Sequence, residues 1–144
     1  MLLTAKILLT LTTLGYSAVP AFFDSNPTHA TNPSFPGHAR FHVVWQVSSY
    51  CYVALLALYL VWTAGTDTWP LWQAAMLSAC AYGGFWSAVL FRPVYGGKLV
   101  SEVNPVPAFS WTIAGLRFQT DANVTLFTPA VLILLAAVYV LGQI

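Results

Sequence analysis

All three histidines of this chain lie in one short segment, between His29 and His42. His38 and His42 are four residues apart, a spacing that places two side chains on one face of a helix, one turn from each other. Histidine titrates near neutrality, and an imidazole oriented by a carboxylate such as Asp24 or Glu102 is suited to general acid or base catalysis. The spacing therefore predicts acid–base catalysis by His42 and His38, with one of these carboxylates orienting the ring.

Two other interpretations of the same residues stay open. Two imidazoles one helical turn apart, joined by His29 and Asp24, offer a ligand set for zinc or another divalent metal. The structural interpretation is that His38 lies at the headgroup level of a membrane, His42 makes an interfacial hydrogen bond, and Gln46 holds neighbouring helices together. The sequence identifies neither a substrate nor a cofactor.

A polar stripe continues along the helix that carries the histidine pair. Gln46 follows on the same face, and Tyr82 and Trp86 recur at helical spacing on the next helix. Polar groups at membrane depth usually face a bundle interior or a water-filled cavity, because exposing them to lipid is costly. We therefore expect a pocket that binds substrate through Gln46, Tyr82 and Trp86. Arg40 lies beside the stripe and suits a polar headgroup or an anionic substrate group.

The composition indicates what surrounds these residues. The chain has 144 residues, of which 58% are hydrophobic and only 6% are charged, and its mean hydropathy is +0.72. Such a chain predicts a single domain, residues 1–144, in a multi-pass integral membrane protein. The few basic residues are scattered singly, which excludes a nucleic-acid interface.

Four hydrophobic segments predict an all-α, four-transmembrane-helix bundle. The expected helices cover about 1–23, 39–64, 69–91 and 123–142, and the two polar loops, 24–38 and 92–122, lie on one face because the number of crossings is even. The first segment also resembles a signal peptide, but its apolar run continues through Phe22 and Phe23, so we expect a retained helix. The aromatic residues at 109–118 suggest that part of the second loop lies in the membrane interface or folds back over the helices.

Two classes of function fit this arrangement. The first is an enzyme or binding protein for a membrane lipid or another lipophilic small molecule, with its pocket between helices 2 and 3 beneath the loops. The second is a non-catalytic accessory subunit whose aromatic-rich segment, residues 105–118, docks a second copy of the chain or a partner in a membrane complex.

The segment NPSFPGHARFH, residues 32–42, follows Asp24 and Asn26-Pro-Thr-His29. It resembles the signature of a family of uncharacterised small four-helix membrane proteins of fungi and bacteria, with the motif NPxxPxHARFH. Helix number and chain size are also similar to the emopamil-binding, sterol-isomerase-like superfamily and to the DoxX-like proteins. The second similarity implies a lipophilic substrate that is protonated and deprotonated inside a bundle. This chain departs from sterol isomerases because helices 2 to 4 contain no intramembrane carboxylate.

Overall fold

The computed structural model describes residues 1–100 and 108–144. Its elements follow the chain in the order α1 (Leu2–Asp24), α2 (Gly37–Thr63), α3 (Trp69–Tyr95), β1 (Phe109–Ile113), β2 (Leu116–Thr120) and α4 (Ala122–Leu141). Each of the four helices is long and apolar enough to cross a membrane. The four-helix bundle expected from the hydropathy is confirmed, and its two polar connections lie at one end.

Helix α1 packs against all three of the other helices. Three of the hydroxyl residues that interrupt its apolar sequence, Thr12, Thr13 and Ser17, are buried in the bundle. Thr12 donates a hydrogen bond to the carbonyl of Ala130 in α4 at 3.1 Å, and its own carbonyl accepts one from the hydroxyl of Tyr82 in α3 at 2.5 Å. In hydrocarbon, such polar groups stabilise helix contacts only when they face other helices. Helix α1 is therefore joined to α3 and α4 by hydrogen bonds as well as by packing.

In this bundle, small side chains are concentrated in the core, and many large apolar side chains lie on the outer surface. Its core is rich in alanine, including Ala57, Ala74 and Ala137, which have no exposed surface. Large apolar side chains such as Leu55 and Leu132 point outward and are more than half exposed. Small residues allow close helix approach, and large apolar ones are stable outside only when the surroundings are themselves apolar. This distribution suits a bundle surrounded by lipid.

Helix α3 is longer than the sequence suggested. We expected it to end near Phe91, but it continues through Pro93 to Tyr95. Gly96 ends the helix in a left-handed conformation with φ of 70°, and its backbone N–H is hydrogen-bonded to the carbonyl of Arg92. A proline removes only one helical hydrogen bond, and glycine reaches positive φ without a steric penalty, so the helix ends at the glycine.

Residues 109–120 form an antiparallel hairpin, which the all-α expectation did not include. Strand β1 pairs with β2 in a register that places Trp111 opposite Phe118 and Ile113 opposite Leu116. The turn between them uses Ala114 and Gly115, whose φ angles are 50° and 80°. Two positive φ values are typical of the type I′ turn that fits the twist of a hairpin. The alternation of apolar and polar residues on both sides of Ala-Gly was the sequence signal for this element.

The hairpin is amphipathic. Its apolar face carries Phe109, Trp111, Ile113, Leu116 and Phe118, all of which are exposed. Its other face carries serine, threonine, glutamine and Arg117. Because β2 leads directly into α4, the hairpin lies at the end of the bundle where the first polar loop also lies.

Candidate functional site

A cavity of about 410 Å³ lies at the loop end of the bundle, where all four helices meet both polar connections. Pockets for small molecules commonly measure about 300–1,000 Å³ and are mainly apolar with a few convergent polar groups. This cavity fits that description. Its apolar wall includes Val19, Pro20, Phe23, Phe85, Leu126 and Phe127, and its polar lining consists of Asp24, Asn26, Thr28, His29, Gln46, Tyr50, Asp121 and Asn123.

The polar edge of the cavity is built where α1 ends. Asp24 is the last residue of the helix, and its carbonyl accepts a hydrogen bond from the backbone of Ala30 at 2.9 Å. This turn brings His29 back over the helix end, with its Nδ1 3.6 Å from the Asp24 carboxylate. The His29 side chain is 38% exposed and the Asp24 side chain is 32% exposed, so water reaches both of them. The pair combines a titratable ring with a carboxylate at the mouth of an apolar cavity.

The neighbouring threonine determines which nitrogen of His29 carries the proton. The Thr28 hydroxyl lies 2.6 Å from the Asn26 side-chain oxygen, 3.0 Å from the Phe23 carbonyl and 2.9 Å from Nδ1 of His29. Both oxygens can only accept, so the single hydroxyl proton goes to one of them and the threonine oxygen accepts from Nδ1–H. The neutral ring therefore presents Nε2 as its basic nitrogen.

The His38 and His42 pair lies elsewhere. Its two Nε2 atoms are 3.0 Å apart, which confirms the expected contact across one helical turn. Both rings are exposed, the His42 ring stacks on Trp45 with centroids 5.8 Å apart, and the Trp45 side chain is 60% exposed. Neither histidine lines the cavity. The polar stripe of α2 is thus divided between an outward histidine pair and an inward pair in which Gln46 donates to the Tyr50 hydroxyl at 3.2 Å.

The other residues expected to bind substrate are also separated. Tyr82 is buried in the core, where its hydroxyl bonds to α1 rather than facing the cavity. Trp86 packs against Phe85 with ring centroids 5.3 Å apart, and Arg40 is half-buried; neither lines the cavity. Glu102 lies outside the described residues. Of the four predicted substrate-binding residues, only Gln46 reaches the cavity.

The alternative metal site is not assembled in the described part of the chain. Within residues 1–100 and 108–144, no group of three or more histidine, cysteine, aspartate or glutamate side chains is arranged to hold a metal ion. The four expected ligands are divided into two pairs, Asp24 with His29 and His38 with His42. A zinc site in a protein ordinarily needs at least three such ligands together.

Several cavity residues lie outside the predicted catalytic, substrate-binding and metal-ligating sets. Asp121 caps α4 by accepting hydrogen bonds from the backbone of Asn123 and Val124, at 2.8 and 3.3 Å. An aspartate just before an apolar run signals a helix start, and the topology then places it at the loop end. Phe85 and Phe127 stack with ring centroids 4.2 Å apart. No sequence pattern identifies this aromatic wall, because it joins α3 to α4.

A fold of four helices is compatible with many activities, so the function has to come from the site. No protein-family model, curated protein or solved structure matches this chain.

Proposed function

We propose that this chain is a multi-pass integral membrane protein that binds a lipophilic small molecule in the cavity and acts on it by histidine acid–base chemistry. The observation that carries the proposal is the pairing of His29 with Asp24 at the polar edge of an otherwise apolar cavity. Perturbed or paired titratable groups in a cleft are typical of functional sites. His29 takes the role that the spacing had suggested for His42.

The chemistry follows from the groups around His29. Thr28 and Asp24 both lie on the Nδ1 side, which holds the ring in one orientation and leaves Nε2 for proton transfer. The carboxylate stabilises the imidazolium formed when the ring takes up a proton. Gln46 and Tyr50, one turn apart on α2, supply further hydrogen-bonding groups to the cavity lining.

The similarity of the histidine segment to small four-helix membrane proteins is compatible with this proposal, and so is the substrate class of the sterol-isomerase-like superfamily. In this chain the carboxylates at the cavity come from Asp24, at the end of α1, and from Asp121, which caps α4, rather than from within helices 2 to 4. Any shared chemistry would therefore use a different arrangement of acidic groups.

The proposal is tested by purifying the protein in a mild detergent, identifying the lipophilic molecule that it retains by mass spectrometry, and incubating the complex in D₂O. An acid–base site exchanges a carbon-bound hydrogen of its ligand with solvent, so we expect deuterium in the retained molecule. Replacing His29 by alanine should slow this incorporation by at least about 100-fold, because general acid–base catalysis contributes about 10²–10⁴-fold.

His42→Ala is the matched control, because it removes the same ring from a position outside the cavity. Deuterium incorporation should be unchanged in this variant. If His42→Ala stops the exchange and His29→Ala does not, the outward pair is the catalytic one and the proposal is wrong. A molecule that is retained without any exchange would reduce the function to binding.

A second candidate function rests on the exposed apolar face of the hairpin, which favours an accessory subunit that docks a partner. In that case the double replacement Trp111→Ser and Phe118→Ser, on the cross-strand pair, should release a co-purifying partner. Thr112→Ala, on the opposite face of β1, should leave the partner bound. A chain that retains a partner in this way but no lipophilic molecule would favour the accessory role.

A further inference from the structure

A second cavity of about 260 Å³ adjoins the first and has a different electrostatic character. The two cavities share His29, Phe85, Ala88, Leu99 and Asn123 as lining residues. The second cavity adds Val89, Arg92, Tyr95 and Lys98, of which two carry positive charge. The aspartates that line the first cavity, Asp24 and Asp121, do not line the second. The site thus has two adjoining compartments, a larger, mainly apolar one and a smaller one lined by both of these basic side chains.

We infer that the ligand is an amphiphile whose anionic head group, a phosphate or a carboxylate, binds the guanidinium of Arg92 in the smaller cavity, while its apolar body occupies the larger cavity. This inference rests on the proposed function, because it needs a lipophilic ligand in that cavity, and it adds the chemical class of the head group. A guanidinium presents a planar set of donors that matches both oxyanions.

The position of Arg92 supports this assignment. It lies in the last turn of α3, where a cation is favourable near the negative end of the helix dipole. Its side chain is exposed, and no ion pair to it is present among residues 1–100 and 108–144. A favourable interaction with the helix dipole would be possible in any outward orientation of the arginine side chain. Arg92 also lines a cavity, which Lys98 lines as well. Because Arg92 lines a cavity and has no carboxylate partner among the described residues, its guanidinium can pair with an anionic ligand.

The charges also decide which way the ligand lies. Asp24 and Asp121 face the larger cavity and would repel an anion there, although the His29 ring next to Asp24 offsets part of that charge. Arg92 and Lys98 face only the smaller compartment. The head group therefore belongs in the smaller compartment, and His29, which lines both, is next to the part of the ligand that adjoins the head group.

The test measures the affinity of the purified full chain for four probes in an uncharged detergent. The probes are a long-chain alkyl phosphate, a fatty acid, an uncharged alcohol of the same chain length, and inorganic phosphate. We expect one of the two anionic amphiphiles to bind at least about tenfold more tightly than the alcohol, since hydrogen bonds between charged groups are strong when desolvated. Which one does so distinguishes a phosphate from a carboxylate head group. Inorganic phosphate, which lacks the apolar body, should bind more weakly than either.

Arg92→Gln should remove the preference for the anion while leaving the affinity for the alcohol unchanged, and Arg92→Lys should restore part of it. Arg117→Gln is the matched control, because it removes a guanidinium from the polar face of the hairpin, outside both cavities. Equal binding of alcohol and anions by the unmodified chain would overturn the inference but leave the proposed function standing. Failure of every probe, the alcohol included, would overturn the proposed function as well. Equal losses in Arg92→Gln and Arg117→Gln would show a nonspecific effect of surface charge and overturn the inference.

Discussion

Replacing Gly84 by tryptophan should abolish retention of a lipophilic ligand. Gly84 lines the main cavity, and a Cβ added there would meet no atom within 4 Å, so the new side chain can enter the open space without displacing a helix. An indole is among the largest side chains and would compete directly with the apolar body of a ligand. We expect the amount of co-purifying ligand, measured by mass spectrometry per mole of folded protein, to fall by at least an order of magnitude.

Gly83→Trp is a closely matched control. Gly83 is the neighbouring residue of the same helix, it is exposed, and an added Cβ would also meet no atom within 4 Å, but it does not line the cavity. Successive residues of a helix point about 100° apart, so the same indole placed there leaves the cavity open. Retention of ligand should be unaffected. If both variants retain the ligand, the binding site is not this cavity.

The second large effect is expected at Gly15, in the middle of α1. A Cβ at this position would lie 2.6 Å from the Tyr82 hydroxyl oxygen and 3.2 Å from the Cβ of Ala130. The hydroxyl is held by its hydrogen bond to the Thr12 carbonyl and cannot move without breaking it. Gly15→Ala should therefore lower the free energy of unfolding by about 1–3 kcal/mol, as overpacked cores do. Alanine is the better helix former by about 1 kcal/mol, so the net loss would come entirely from packing.

Two comparisons separate this packing effect from a general effect of the substitution. Gly83→Ala, where the added Cβ meets nothing, should not destabilise the protein. In a Tyr82→Phe background the clashing oxygen is gone, so Gly15→Ala should cost much less, with an interaction energy of about 0.5–3 kcal/mol in the double-mutant cycle. The free energy of unfolding of each variant is measured by titration with sodium dodecyl sulfate in mixed micelles. Additive losses would mean that α1 and α3 do not approach as closely as the structure shows.

Hydrophobicity determined the number of helices, because a segment crossing hydrocarbon must satisfy its backbone internally and carry apolar side chains over its whole length. The even number of helices then placed both polar connections at one end, where the cavity is found. The alternation around Ala114-Gly115 encodes the hairpin at 109–120. The aromatic residues of the same segment predict only that it lies in the membrane interface or folds back over the helices.

The candidate site was predictable only in part. Asp24 and Gln46 were expected at the site, and both line the cavity. His29, named as a ligand of the alternative metal site and not as the catalytic histidine, is the histidine that lines it, because the Asn-Pro turns fold the first loop back over the end of α1. His38 and His42 have the more conspicuous spacing, but spacing along one helix shows only that two side chains share a face. It does not show what that face meets.

By itself, the sequence determined what is local: four apolar helices, a turn-rich first loop, and the contact between His38 and His42. These depend on residues within a few positions of one another, through backbone hydrogen bonding, helical periodicity and hydropathy. Only the tertiary structure decided that Thr12 and Thr13 of α1 are buried in the core, that Tyr82 bonds to α1 instead of lining the site, and that His29 rather than His42 lines the cavity. Those arrangements depend on how helices rotate about their axes when they pack, and small residues such as Gly15 allow the approach that sets that rotation.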